Sequence, residues 1–297
     1  MPNPKRTFQF QQFDVFTDTP LAGNALAVFL DARGLSDAEM QAIAKETNLS
    51  ETTFVLPRDS AIEKDRGIRV RIFTVQEELP FAGHPTLGTA FALRGASSAP
   101  EIVLDLNAGR VPVRFTDTPG KPVFGEMRQV DPKFGAIHDR TALATALGLP
   151  VKAFDDSLPI QTISTGLPYT VVPIKSLSNI QDLHLDHRRA AEYLASSEGK
   201  FFYFVCREGV DPSARLHARM LFYNGEDPAT GSAAGCAAAW MVRHGVANPG
   251  EQVLIEQGVE MHRPSRIFVR ADREGDTVVN VRVGGSAVEV LRGEFFL

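Results

Sequence analysis

Two short stretches of this sequence put glycine, hydroxyl and ionisable residues where a helix would begin. One is Ala82-Gly83-His84-Pro85-Thr86 and the other is Thr230-Gly231-Ser232-Ala233. The first turn of a helix carries unpaired backbone N–H groups and a partial positive charge, so it attracts an anion. Glycine lets a ligand approach the backbone closely. Pro85, read as the first helical residue, gives up an N–H that would have had no partner there. Two such starts facing one another would hold a carboxylate and stabilise an enolate developing beside it.

The neighbouring side chains each have a chemical and a plain reading. Glu51 follows an amphipathic helix in Asn48-Leu49-Ser50-Glu51-Thr52-Thr53-Phe54 and opens a strand. It is an acid/base candidate, although by pattern alone a solvated glutamate at a strand start is the simpler reading. His84 stands where a charged imidazole is disfavoured, so it is a neutral donor, a proton relay or only a cap. Asp227, in Glu226-Asp227-Pro228, caps its turn or supplies a second acid/base. Ser232 is most simply an N-cap or a donor to a ligand, and no G-x-S-x-G elbow marks it as a nucleophile. The run His184-Leu185-Asp186-His187 looks like a metal site but reads as the solvated start of an exposed helix, so no metal is expected. Gly83 to Gly88 lacks the Lys-Ser/Thr of a phosphate loop. Cys206 reads as strand core and Cys236 as packing inside a helix.

The elements that position these residues recur along the chain. Shifting by 148 positions brings Arg71 onto Arg219, Glu78 onto Glu226, Pro80 onto Pro228, Gly83 onto Gly231 and Ala90 onto Ala238. Upstream the shift drifts to about 150, with Leu35 meeting Leu185 and Val55 meeting Val205. An ordered series of Arg, Glu, Pro and Gly is no mere hydrophobic pattern, so two halves related by duplication are expected. Glu51 has its counterpart near Phe201, which leaves a carboxylate on one side only.

Short alternating strands are predicted at 8–16, 26–30, 52–56, 68–72, 101–106, 111–115, 201–206, 216–222, 253–256, 265–269 and 278–283. Ser36-Asp37-Ala38-Glu39 is a capping box for a helix ending near Asn48. Surface helices are also predicted over Asp139–Leu147, stopping at Gly148, and Asp186–Ala195. Pro85–Leu93 and Ser232–Val242 differ in kind, because neither contains a charged residue. A helix without a polar face is buried on every side. The expected fold is therefore α+β: two pseudo-symmetric domains, each a rolled, mostly antiparallel, barrel-like sheet around a central buried helix. The domains are expected at 1–118, completed by a C-terminal strand at about 286–297, and at 119–285.

Bulk properties bound the rest. The 297 residues carry a net charge of -5, which disfavours a nucleic-acid groove. No apolar stretch approaches the roughly 20 residues of a membrane helix, and no signal-like apolar region opens the chain. Two cysteines make no disulfide framework, and a reducing, cytoplasmic setting is expected.

At these motifs the sequence resembles the PhzF-like isomerase family of phenazine biosynthesis, within the wider diaminopimelate epimerase fold. The resemblance is carried by Phe13-Asp14-Val15-Phe16 with Gly23-Asn24, by Ser50-Glu51-Thr52-Thr53-Phe54, by Glu78 through Gly88, and by Glu226 through Ala233. Gln257-Gly258, Arg263-Pro264-Ser265 and Val283-Gly284-Gly285 extend it. It implies a cofactor-independent proton shift on a small carboxylate substrate bound between the two domains of a homodimer's subunit. Glu51 matches the acid/base glutamate, His84 and Asp227 its assistants, and Ser232 the substrate-anchoring serine. Asn24, Ser50, Gly83, Pro85, Thr86, Thr230 and Gly231 complete the expected substrate contacts. Related epimerases use two cysteines where this chain has Gly83 and Asp227, so a two-thiol mechanism is not expected. Val75 and Ala25 stand where many members have proline, which leaves substrate identity open. The rival readings are an amino-acid epimerase and a non-catalytic small-molecule binder.

Overall fold

The computed structural model describes residues 6–95, 97–222 and 225–297. One unit runs to Met127 and takes in Gly284–Leu297, and the other is Arg128–Val283. The first contains β1 (Thr7–Val15), β2 (Asn24–Phe29), α1 (Asp37–Thr47), β3 (Glu51–Val55), α2 (Ser60–Arg66), β4 (Ile68–Thr74), β5 (Glu78–Leu79), α3 (Gly83–Arg94), β6 (Glu101–Leu106), β7 (Gly109–Thr116) and most of β8 (Phe124–Arg128). The second contains β9 (Lys133–Ile137), α4 (Arg140–Leu147), β10 (Gln161–Ser164), β11 (Pro168–Ile174), α5 (Leu177–Gln181), α6 (His187–Ala195), β12 (Phe201–Cys206), β13 (Ala214–Phe222), β14 (Gly225–Asp227), α7 (Gly231–Arg243), β15 (Val253–Gln257), β16 (Ser265–Glu274) and most of β17 (Thr277–Gly285). The last strand, β18 (Ala287–Phe296), pairs antiparallel with β1.

The two charge-free segments are the central helices. In α3 every residue but Leu93 is buried, and in α7 every residue but Arg243. Helix α3 touches β1, β2, β3, β6, β7 and β18, so its sheet is rolled around it. Helix α7 packs on β10, β11 and β16. Small residues permit this closeness. A Cβ on Gly88 would lie 2.6 Å from Val15 and 2.7 Å from Leu26, and one on Gly125 would lie 2.8 Å from Leu87 and from Phe91. The outer sheet faces are covered by the amphipathic helices. Met40, Ile43 and Ala44 of α1 pack with Phe8, Phe29, Phe54 and Phe73. Leu143 and Leu147 of α4 and Ala190 of α6 pack with Phe202 and Phe204.

The sequence repeat is a repeat of topology. In the first unit β1 pairs antiparallel with β2, β2 runs parallel to β3, β3 antiparallel to β4, and β4 antiparallel to β5. After α3, β6 returns parallel to β4 and β7 antiparallel to β6. In the second unit β10 through β14 repeat the same senses, and after α7, β15 returns parallel to β13 with β16 antiparallel to it. The repeated Arg and Glu form a bidentate clamp in each unit. Arg71 reaches Glu78 at 2.8 and 2.6 Å, and Arg219 reaches Glu226 at 2.8 Å twice. Each clamp ties a central strand to the short strand feeding the central helix, in the strongest geometry an ion pair takes.

Two boundaries differ from the sequence expectation. Both central helices start earlier, at Gly83 and Gly231, which makes Pro85 the third helical residue and Ser232 the second. Pro85 still sits where an N–H would have no partner in the helix. Strands β8, β9 and β11 were not predicted, because Gly125, Gly135, Pro168 and Pro173 interrupt their patterns as turn residues would, and β10 was not predicted because it is only four residues long. Helix α6 begins as expected, with Asp186 accepting from the Arg189 N–H at 3.1 Å as its N-cap.

A buried ionic group in the second unit had no sequence signal. His217 on β13, fully buried, contacts Glu256 at 2.7 Å and Glu260 at 2.9 Å. Burial alone would lower its pKa, but the two carboxylates outweigh it and raise it to about 9. Its stabilising contribution is therefore complete below its ordinary pKa of 6.5 and is lost as pH rises through about 9. His217→Gln should flatten the fall in stability between pH 7 and 10 seen by urea denaturation. Gly88→Ala should lower stability by about 1–3 kcal/mol in the same measurement, since the added methyl overpacks a closed helix–strand contact.

Candidate active site

Each unit carries a polar half-site at the N-terminus of its central helix. In the first, parity along the strands does the positioning. Thr53 of β3 faces α3, where its hydroxyl meets that of Thr89 at 2.8 Å. Thr52 faces the other way and meets Thr47 of α1 at 2.7 Å. Glu51, two residues before Thr53, is therefore on the α3 side. It is held at the start of β3 because α1 ends at Asn48 in a left-handed conformation. Leu26 of β2 also faces α3, against Gly88, so Asn24 points inward too.

These parities bring Asn24, Glu51 and His84 together. His84 is only 3% exposed. The Asn24 side-chain amide donates to its Nδ1 at 3.1 Å, which leaves the ring proton on Nε2. Nε2 lies 3.4 Å from Glu51 Oε2 and makes no hydrogen bond among the described residues. That distance is long for a hydrogen bond. Burial holds the His84 pKa down to about 3, so the ring is neutral and the Glu51 contact is an N–H beside a carboxylate, not an ion pair. With Nδ1 already accepting, the ring is a donor rather than a through-relay. The Glu51 side chain is 15% exposed. Ser50 beside it is half-buried, and Gly83 and Pro85 are buried. Thr86 is turned inward, its hydroxyl donating to the Ala82 carbonyl at 2.6 Å.

The second half-site is built around Asp227, at the end of β14, and the start of α7. Thr230 is the N-cap residue, and its hydroxyl donates to Asp227 Oδ2 at 2.6 Å. Ser232, one turn position inside the helix rather than capping it, shares a 2.8 Å hydrogen bond with the Tyr169 hydroxyl. Ser232 and Gly231 are the positional counterparts of His84 and Gly83. Phe201 opens β12 as Glu51 opens β3. The first-unit carboxylate is thus replaced by an aromatic ring, and the second-unit Asp227 has Leu79 as its counterpart.

Sequence reasoning missed Tyr203 and Tyr169, and it named Gln257 in a motif without giving it a role at the site. Gln257 is fully buried in β15, whose five residues are all buried. A buried amide must find partners, and that is the signal an all-buried strand containing glutamine offers. Gln257 donates to the Asp227 carbonyl at 2.7 Å and to Thr230 Oγ1 at 2.9 Å. It accepts from the Thr230 N–H at 3.2 Å and the Tyr203 hydroxyl at 3.0 Å. Ser265 holds the next residue by donating to the Pro228 carbonyl at 2.8 Å. Both cysteines are buried away from the helix starts, and burial pushes the Cys236 thiol up to about 11. Among the described residues no group of three or more His, Cys, Asp and Glu is placed to hold a metal. No helix among them is long and apolar enough to cross a membrane.

Comparison with known proteins places this architecture. The family described as "Phenazine biosynthesis-like protein" matches residues 13–293. An uncharacterized isomerase of Mesorhizobium japonicum is 39% identical, covering 98% of this chain and 100% of that protein. The trans-2,3-dihydro-3-hydroxyanthranilate isomerase of Pseudomonas aeruginosa is 37% identical, covering 96% and 98%. The crystal structure of a Bacillus anthracis phenazine biosynthesis protein of the PhzF family superposes with a TM-score of 0.87 at 29% identity, covering 98% and 99%. The protein is an isomerase of mixed α+β fold. It belongs to the phenazine biosynthesis-like, or PhzF, family.

The depressed His84 pKa has a consequence for stability. Below pH 6.5 the unfolded chain binds a proton that the folded ring refuses until about pH 3. Stability should therefore fall as pH drops through that window, and His84→Gln should reduce the loss measured by urea denaturation at pH 7 and pH 4.5. Nitrogen-15 NMR of the ring should show one neutral tautomer, protonated on Nε2, from pH 8 to pH 5.

Proposed function

We propose that this protein is a cofactor-independent isomerase that moves a proton on a small carboxylate-bearing substrate. The observation that carries this reading is the Glu51 carboxylate 3.4 Å from a buried, neutral His84 N–H at the start of α3. Glu51 removes a proton from an activated C–H and returns it at another carbon. His84 donates its Nε2–H to steady the carboxylate, and Asp227 is the second acid/base. The N–H groups at the starts of α3 and α7, at Gly83 and Gly231, receive the substrate carboxylate and the negative charge that develops on it. Ser232 and Ser50 supply further hydrogen bonds. On this reading the enzyme works as a cytoplasmic homodimer.

The relative from Pseudomonas aeruginosa suggests the substrate class: a cyclic carboxylic acid whose double bonds can migrate by a proton shift, with trans-2,3-dihydro-3-hydroxyanthranilate as the first compound to test. Epimerisation through two thiols is disfavoured by Gly83 and Asp227 at the positions such thiols would take, and by the burial of Cys206 and Cys236. The deciding experiment incubates the enzyme in deuterium oxide with that compound and a panel of small carboxylates. Deuterium entry with rearrangement supports isomerisation, entry with inversion supports epimerisation, and no entry across the panel supports binding alone. Glu51→Gln should keep substrate binding and lower turnover by at least about 100-fold. A fully active Glu51→Gln enzyme would remove Glu51 from the mechanism.

A further inference from the structure

We propose that Gln257 is a positioning residue for Asp227: acting through Thr230, it commits Asp227 Oδ2 to accepting a hydrogen bond and assigns to Oδ1 any proton that Asp227 exchanges. The proposal rests on the reading of Asp227 as an acid/base, and every group in it lies in the second unit.

The direction of each hydrogen bond follows from the inventory of donors and acceptors. A glutamine amide has two N–H donors and one oxygen with two lone pairs. Around Gln257 all four are used. The two acceptors nearest Nε2 are the Asp227 carbonyl and Thr230 Oγ1, at 2.7 and 2.9 Å. The carbonyl can only accept, so the nitrogen must stand on that side. The backbone N–H of Thr230 can only donate, so the oxygen must stand on the other, where Tyr203 also donates at 3.0 Å. A flipped amide would set donor against donor and acceptor against acceptor, with no water to compensate at a fully buried side chain.

That orientation sets the next link. Thr230 Oγ1 receives an N–H from Gln257, so its own hydrogen is directed elsewhere, and Asp227 Oδ2 stands 2.6 Å away. The chain runs one way, from the Tyr203 hydroxyl to Gln257, to Thr230, to Asp227. Tyr203 is fully buried, and its pKa is raised by burial first and by the nearby Asp227, Tyr169 and Cys236 after it. It therefore remains a phenol that donates, and the chain keeps its sense. A proton on Oδ2 would face the Thr230 hydroxyl hydrogen, which would have to turn away and give up this acceptor. A proton on Oδ1 leaves the chain intact. The same amide pins both the Asp227 carbonyl and the Thr230 N–H, so it also holds the turn between β14 and α7.

The test reads Asp227 directly and needs no substrate. The full-length protein is labelled with carboxyl-13C aspartate, the Asp227 signal is assigned by its loss in Asp227→Asn, and its titration midpoint is followed by NMR. Thr230→Val keeps the shape and removes the donor, and it should raise the midpoint by about one pH unit. Thr230→Ser restores the hydroxyl and should bring the midpoint back. Gln257→Met frees the Thr230 hydroxyl to turn and should raise the midpoint part of the way. A midpoint unmoved in Thr230→Val, or unmoved in a folded Gln257→Met, overturns the proposal. The Thr230 pair decides the matter even if Gln257→Met fails to fold. Deuterium exchange by Asp227→Asn separates this from the functional reading. Full exchange there defeats Asp227 as an acid/base whatever the midpoints show, whereas lost exchange with unmoved midpoints defeats only the role of Gln257.

Discussion

A helix with no polar face can exist in water only if something surrounds it, and that constraint organises both units. Helices α3 and α7 are buried along almost their whole length, so the strands must curl around them rather than lie flat. Burial on every side also forbids polar side chains along the helix wall unless each has a partner, as Thr89 has in Thr53. Polarity cannot be removed at the helix ends, where the first N–H groups and the last C=O groups have no partners within the helix. The N-terminal end is the one that attracts an anion. Asn24, His84, Asp227 and Gln257 lie buried at or beside these helix starts.

Duplication doubled this arrangement, and divergence made the copies unequal. What stayed is mechanical: the order and sense of the strands, the glycine at the helix start, and the Arg–Glu clamp that seats the strand before it. What changed is ionisable. One copy puts a glutamate at the head of the strand after the parallel crossover and a histidine on the helix. The other puts Phe201 and Ser232 there and gains an aspartate on the approach strand instead. An ionisable group at the start of one central helix therefore has no twin at the other, and its surroundings can differ.

The surroundings are indeed different. Around Glu51 the neighbour is an imidazole kept neutral by burial, its tautomer set by one amide of Asn24. Beside Asp227 the Thr230 hydroxyl donates to Oδ2 and the Gln257 amide donates to the backbone carbonyl. In both half-sites a buried carboxamide, which neither gains nor loses a proton, fixes the orientation of a group that can. The contrast is His217, where two carboxylates hold a charged ring in place and the pKa goes up to about 9 instead of down.

The sequence by itself determined the architecture of each unit and the ends of the helices where chemistry could sit. Absence of charge in two segments required burial, the shifted Arg, Glu, Pro and Gly series revealed the repeat, and the capping box marked α1. These features are local or periodic, so they can be read without knowing what touches what. Only the tertiary structure decided what each polar residue does. Thr86 was legible as a hydroxyl near a ligand, yet it bonds its own helix at Ala82. Asn24 was legible as part of a motif, yet its place against His84 depends on strand parity and on β2 running parallel to β3. Gln257 was legible only as part of a motif, with no role attached. Its four hydrogen bonds reach back to Tyr203, Asp227 and Thr230, partners that come from other strands and from the turn before α7. The direction of a hydrogen bond belongs to a pair of groups in space, and no residue type or spacing along a chain carries it.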